Sequence, residues 1–182
     1  MKITTCEIEG LLILKPHVFT DARGYFLETY NQRRYREAGL AVDFVQDNLS
    51  CSRRGAVRGL HFQNPSPQGK LVWVIQGEVF DVAVDLRRSS PTFGRWHGLT
   101  ISEENRLQFF IPPGFAHGFA VTSEVALFAY KCTDLYAPGC DTTILWNDPD
   151  IGIQWPVADP VLSPKDQAGL RLRDVPPEKL FP

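Results

Sequence analysis

Apolar and polar positions along this chain alternate in short runs separated by Gly, Pro, Asp and Asn, which is the signature of many short strands rather than of helices. Residues 3–30 read as strands broken at Lys15-Pro16 and at Asp21-Ala22-Arg23-Gly24, the second break having the composition of a turn. Residues 31–39, Asn-Gln-Arg-Arg-Tyr-Arg-Glu-Ala-Gly, predict a helix capped by Asn31 and closed by Gly39. Residues 42–50 return to a strand. Residues 71–87 predict a hairpin-like pair of apolar strands around Gln76-Gly77. In its second half Phe80, Val82, Val84 and Leu86 share one face, and Val79, Asp81, Ala83 and Asp85 the other. Two carboxylates on one strand face leave two readings open: solvent exposure, or a barrel interior around a polar ligand. Residues 107–112, 118–122 and 125–133 predict further strands. In the Pro-rich tail Ser163-Pro164 predicts the start of a short helix, with Ser as cap and Pro in the first position.

The chain has 182 residues, with 14 Gly and 14 Pro lying mostly between the apolar runs. A chain of this length buries about 70% of its unfolded surface, so its core needs no disulfide or metal staple. The expectation is one domain spanning residues 1–182, an all-β jelly-roll barrel of the cupin kind with short flanking helices. A net charge of −2 without a long basic run argues against a nucleic-acid partner. The four cysteines, Cys6, Cys51, Cys132 and Cys140, form no Cys-x-x-Cys pair and fit free thiols in a reducing compartment. The apolar run before Lys15-Pro16 is too short for a membrane span and lacks the basic flank of a signal peptide, so the expected location is cytoplasmic, with no membrane partner.

Candidate chemistry gathers between Arg58 and Arg87. Arg58-Gly59-Leu60-His61 puts a guanidinium beside an imidazole, and a Pro-rich loop ends at Lys70. An imidazole titrates near neutrality and suits a general base; a core histidine is the plainer reading of His61, as a solvated loop lysine is of Lys70 and a core tyrosine of Tyr130. Arg58 and His61 have opposite strand parity, so both face one pocket only if Gly59 bends the strand or Arg58 sits at the rim. Pro112-Pro113-Gly114-Phe115-Ala116-His117 matches one element of a metal-binding cupin. The other fails, because Phe62 and Gln63 follow His61 where a second imidazole is needed. Two His and an amide fall short of the usual three or four ligands, so no metal is expected.

In order along the chain stand Phe19-x-Asp21-x-Arg23-Gly24-x-Phe26-x-Glu28, Gln46-Asp47-Asn48-x-Ser50, Arg58-Gly59-Leu60-His61-Phe62-Gln63, Gly69-Lys70 and Gly77-Glu78-Val79-x-Asp81-Val82. Downstream follow Ile111-Pro112-x-Gly114-Phe115-Ala116-His117-Gly118-Phe119, Tyr130-Lys131-x-Thr133-x-x-Tyr136, Trp146-Asn147-Asp148-Pro149 and Leu162-Ser163-x-Lys165-Asp166. This ordered set resembles the dTDP-4-dehydrorhamnose 3,5-epimerase family over nearly the whole chain. The resemblance implies a cofactor-free isomerase acting on a dTDP-4-keto-6-deoxyhexose. It implies His61 as base, oriented by Asp166, Lys70 as stabiliser of an enolate, and Tyr130 as the acid that returns a proton. It implies Arg23, Glu28, Gln46, Asn48, Arg58, Lys70, His117, Tyr136, Asp141 and Lys165 as substrate contacts. Phe19 and Phe26 are open to two roles, stacking on thymine or core packing. Asp141 stands where many relatives have Glu. In relatives the Phe19–Glu28 segment serves the neighbouring subunit's site, which implies a homodimer. The rival functions are an epimerase acting at one carbon only, a non-catalytic nucleotide-sugar-binding cupin, and a metal-dependent cupin enzyme.

Overall fold

The computed structural model describes residues 1–182 and resolves the alternation into thirteen strands: β1 (Lys2–Thr5), β2 (Leu12–Lys15), β3 (Val18–Asp21), β4 (Gly24–Leu27), β5 (Gln46–Arg53), β6 (Val57–Gln63), β7 (Lys70–Gln76), β8 (Glu78–Asp85), β9 (Trp96–Ser102), β10 (Gln108–Ile111), β11 (Phe115–Val121), β12 (Val125–Cys132) and β13 (Asp141–Thr143). Two short helices, α1 (Gln32–Glu37) and α2 (Pro164–Gln167), flank them. Six strands form one antiparallel sheet in the order β1-β2-β10-β7-β12-β5, and five form a second in the order β13-β6-β11-β8-β9. β3 and β4 form a separate two-stranded arm. The two large sheets pack face to face as a jelly-roll sandwich, with a shared apolar core. Val72, Phe109 and Phe128 come from one inner face, and Val79, Phe115 and Phe119 from the other. Phe109 and Phe128 are fully buried, each stabilising the fold by about 1.5–3 kcal/mol.

Part of each outer face is covered as well. Tyr35 of α1 and Leu40 pack on Leu14, Leu71 and Phe110 of the six-stranded sheet. The C-terminal tail lays Ile151, Leu172, Val175 and Phe181 over Leu60, Val82 and Val84 of the five-stranded sheet. This second cover explains why β8 is buried on both faces. The Asp81/Asp85 face is therefore not solvent-exposed: both carboxylates are 0% exposed. Only Asp81 enters the sandwich interior. Asp85 organises the turn that follows, accepting from Arg87 Nε at 2.8 Å, Ser90 Oγ at 2.7 Å and Thr92 Oγ1 at 2.7 Å. Burial alone would raise the Asp85 carboxyl, but these hydrogen bonds hold it down at about 2.

The structure corrects several boundaries. β7 and β8 are not a hairpin: they belong to different sheets, and the chain changes sheet at Gly77. There φ is +81°, and a Cβ would stand 2.1 Å from the Val125 carbonyl oxygen, so only glycine fits the corner. The predicted strand 42–50 starts four residues later and runs to Arg53. α1 is shorter than predicted, although Asn31 caps it, its side chain accepting from the Arg34 N–H at 3.2 Å. α2 is where Ser163-Pro164 predicts it, with Ser163 as cap. β9 and β13 have no counterpart among the predicted strands.

Candidate active site

Strand register places the site. On the inner face of the six-stranded sheet, Tyr130 pairs with Asn48 and Val72, and Cys132 with Gln46 and Lys70. On the facing sheet, His117 pairs with His61 and Ala83, and Phe119 with Arg58 and Asp81. Between these rows lies a cavity of about 310 Å³ whose polar lining includes Arg58, His61, Lys70, His117, Tyr130 and Asp166. His61 and Tyr130 stand on opposite sheets, hence on opposite walls.

The parity conflict at Arg58 and His61 is resolved by a bulge. Three steps along β6 match two along β11, with the shift between His117 and Phe119. Gly59 makes the bulge. Its φ is +124°, and a Cβ there would lie 2.5 Å from Gly118 Cα and 2.8 Å from the His117 carbonyl oxygen. Neither backbone atom can yield, so glycine at 59 is what lets both side chains reach one cavity. Arg58 takes the rim, its Nε donating to Ser52 Oγ at 3.0 Å.

His61 Nε2 lies 2.6 Å from Asp166 Oδ1. Asp166 is held in turn: Ser163 Oγ donates to its Oδ2 at 2.6 Å, and the Gly59 N–H donates to its Oδ1 at 3.3 Å. Burial would raise Asp166, but the hydrogen bonds from His61, Ser163 and Gly59 outweigh it and hold the carboxyl below its ordinary value. An ionised, fixed carboxylate orients the ring and stabilises an imidazolium. α2 exists to place Asp166, since its cap, Ser163, is also the carboxylate's partner.

Burial pushes the Lys70 ammonium below its ordinary value, against attraction from Asp141 and Asp81. Burial raises Tyr130, with Arg58 opposing, so its phenol stays protonated across the neutral range. His117 Nε2 lies 3.0 and 3.1 Å from the two oxygens of Asp81, and its ring stacks on Phe128 with centroids 6.2 Å apart. Burial pushes His117 down and Asp81 up. No three His, Cys, Asp or Glu side chains are grouped to hold a metal ion.

The remaining sequence candidates divide. Gln46 Nε2 donates to Asn48 Oδ1 at 3.1 Å, and Gln46 Oε1 accepts the Tyr136 N–H at 2.8 Å, forming a strip beside the cavity. Lys165 lines the cavity and pairs with Asp141. Phe19, Arg23, Phe26 and Glu28 do not reach this cavity within the chain. Phe19 and Phe26 are 56% and 66% exposed on the β3–β4 arm, Arg23 pairs with Asp21 at 2.6 Å, and Glu28 pairs with Arg34. Residues outside the sequence candidates also belong to the site: Ser50, Phe119, Phe128 and Ser163 line the cavity, and Asp81 partners His117. The alternation already set Asp81 apart, but nothing local names His117 as its partner.

The family model described as dTDP-4-dehydrorhamnose 3,5-epimerase matches residues 5–174. The dTDP-4-dehydrorhamnose 3,5-epimerase of Methanothermobacter thermautotrophicus is 56% identical over 93% of this chain and 94% of its own. That of Pseudomonas aeruginosa is 55% identical over 96% of this chain and 97% of its own. The crystal structure of dTDP-6-deoxy-D-glucose-3,5-epimerase from Legionella pneumophila, in complex with dTDP-4-keto-L-rhamnose, superposes with a TM-score of 0.96 at 50% identity, covering 99% of this chain and 97% of that one. With a family model over residues 5–174, relatives more than 50% identical along nearly the full length and a matching fold, the chain belongs to the dTDP-4-dehydrorhamnose 3,5-epimerase family.

Proposed function

We propose that the chain epimerises dTDP-4-dehydro-6-deoxy-D-glucose at C3 and C5 to dTDP-4-dehydro-L-rhamnose. The observation that carries this reading is the placement of the His61–Asp166 pair and Tyr130 on opposite walls of one cavity. Inversion requires a proton to leave one face of the sugar and another to arrive on the opposite face. The 4-keto group acidifies the hydrogens on both flanking carbons. His61 removes one as general base, with Asp166 holding the imidazolium that forms. The electrons move onto the C4 oxygen, and Lys70 stabilises that enolate. Tyr130, a weak acid suited to a strongly basic carbanion, returns a proton from the other wall for at least one centre. Arg58 and Lys165 supply positive charge for the diphosphate, Arg58 through a planar fork that suits two oxygens. Proton NMR of the substrate with enzyme in deuterated water tests the reading. Deuterium is expected at both C3 and C5; uptake at one carbon only identifies a single-centre epimerase.

The working form we infer is a homodimer in the cytoplasm. The outer face of the six-stranded sheet leaves Leu49 63% and Ile75 47% exposed, while the arm carries Phe19, Arg23 and Phe26 away from the chain's own cavity. A second copy covers the apolar face and receives the arm, supplying its Arg23 and Glu28 to the neighbouring site. The four free cysteines fit a reducing compartment. Mixing Arg23→Ala with His61→Ala chains is expected to restore part of the activity, because one hybrid site holds both wild-type residues. Subunit exchange without recovery contradicts the shared site.

A further inference from the structure

The cavity contains a second imidazole–carboxylate pair, and its geometry differs from the first. His61 meets one oxygen of Asp166 at 2.6 Å, whereas His117 Nε2 sits nearly midway between both oxygens of Asp81, at 3.0 and 3.1 Å. A protonated carboxyl would donate along one oxygen in a short bond. Two near-equal distances fit an N–H donating between the oxygens of an ionised carboxylate. Lys70, whose charge acts on both residues, favours that ionised form. Asp81 is 0% exposed and stands between Val79 and Ala83 of the inner core, a position where an unpaired charge would cost stability. The other ring nitrogen of His117, Nδ1, is not sealed unpartnered in the core, which leaves it to the cavity that the residue lines.

We propose that Asp81 is a positioning residue that locks His117 in its Nε2–H tautomer, so that Nδ1 presents a lone pair to the cavity and accepts a hydrogen bond from a sugar hydroxyl. His117 is then neither a second base nor a donor to the enolate. Lys70 and His117 divide the polar recognition of the ring between them: the ammonium serves the oxygen that gains charge, the imidazole a hydroxyl that stays protonated. Because that hydroxyl is bound in ground and transition states alike, the contact acts on substrate affinity more than on turnover. This inference rests on the epimerase reading above for the identity of the sugar, but the tautomer itself does not depend on it.

The test is ¹⁵N NMR of the full chain labelled at histidine, with His117 assigned by its loss in His117→Asn. At neutral pH the wild-type protein is expected to show His117 neutral, protonated at Nε2 and bare at Nδ1. A neutral Nδ1–H form or an imidazolium overturns the proposal, and since this measurement needs neither substrate nor a variant of Asp81, it decides even if Asp81→Asn fails to fold. In the folded Asp81→Asn protein the tautomer should become mixed, with KM raised about 10–100-fold and kcat within about threefold. The same substitution in a His117→Asn background should change KM by less than about twofold, because Asp81 acts only through that ring. An equal loss in both backgrounds marks a merely structural residue and overturns the proposal. Wild-type turnover in the same assay tests the epimerase reading separately.

Discussion

His61→Ala should abolish deuterium uptake at C3 and at C5 together. Removing a positioned general base costs about 10²–10⁴-fold, and more where no neighbour substitutes for it. No neighbour is free to do so here. His117 spends Nε2 on Asp81 and is pushed toward its neutral form by burial, and Lys70 lies on the other sheet. The loss should be chemical rather than structural, because His61 is a partly exposed cavity residue outside the apolar clusters, so its removal opens no core void. Thermal unfolding of the variant should therefore match the wild type within a few degrees while exchange disappears. Asp166→Asn should be less severe for the fold than its burial suggests, since the amide retains partners in Ser163 and Gly59, but it should slow exchange at both carbons through loss of the imidazolium's counter-charge. Persistence of uptake at one carbon in His61→Ala would mean that the two protons have two bases.

Much of this arrangement is legible in the sequence wherever the signal is local. The strands after Lys70, the Asn31 cap and the Ser163-Pro164 helix start follow from alternation and capping chemistry, and each appears in the structure. The failures lie where a distant segment decides. Alternation in 79–86 separates two faces, but both are buried, because the C-terminal tail returns to cover the outer one. A Gly between two apolar strands reads as a hairpin until pairing is known; β7 and β8 instead take separate partners, β10 and β12 for one, β11 and β9 for the other. The site shows the same limit. Arg58, His61 and Lys70 are near one another in sequence, and their parity conflict leaves open a bend at Gly59 or Arg58 at the rim; the structure has both. Asp166, 105 residues beyond His61, is tied to it only through family resemblance, and no pattern along the chain joins Asp81 to His117.

Tyr130→Phe should uncouple exchange from inversion. The substitution keeps the ring, so its packing against Phe128, 6.0 Å between centroids, is preserved, and it removes only the O–H. His61 and Asp166 remain on the opposite wall, so the enolate still forms and still takes deuterium from solvent through the same base. What is missing is a donor on the far face. Exchange should persist at both carbons, while inversion at one centre falls by about 10²–10⁴-fold, the ordinary contribution of a positioned acid. The product pool then shifts toward sugar inverted at a single carbon, which separates this variant from one that merely binds poorly. Lys70→Ala provides the contrast. In the proposed mechanism both exchanges pass through the same C4 oxyanion, so removing the Lys70 ammonium should slow uptake at C3 and C5 alike, by about 10²–10³-fold as for other lost oxyanion donors. Three variants thus give three patterns: no exchange, exchange without inversion at one centre, and uniformly slow exchange. If Tyr130→Phe instead stops exchange at both carbons as completely as His61→Ala does, the phenol acts before the enolate exists, and the far wall supplies substrate binding rather than the returning proton.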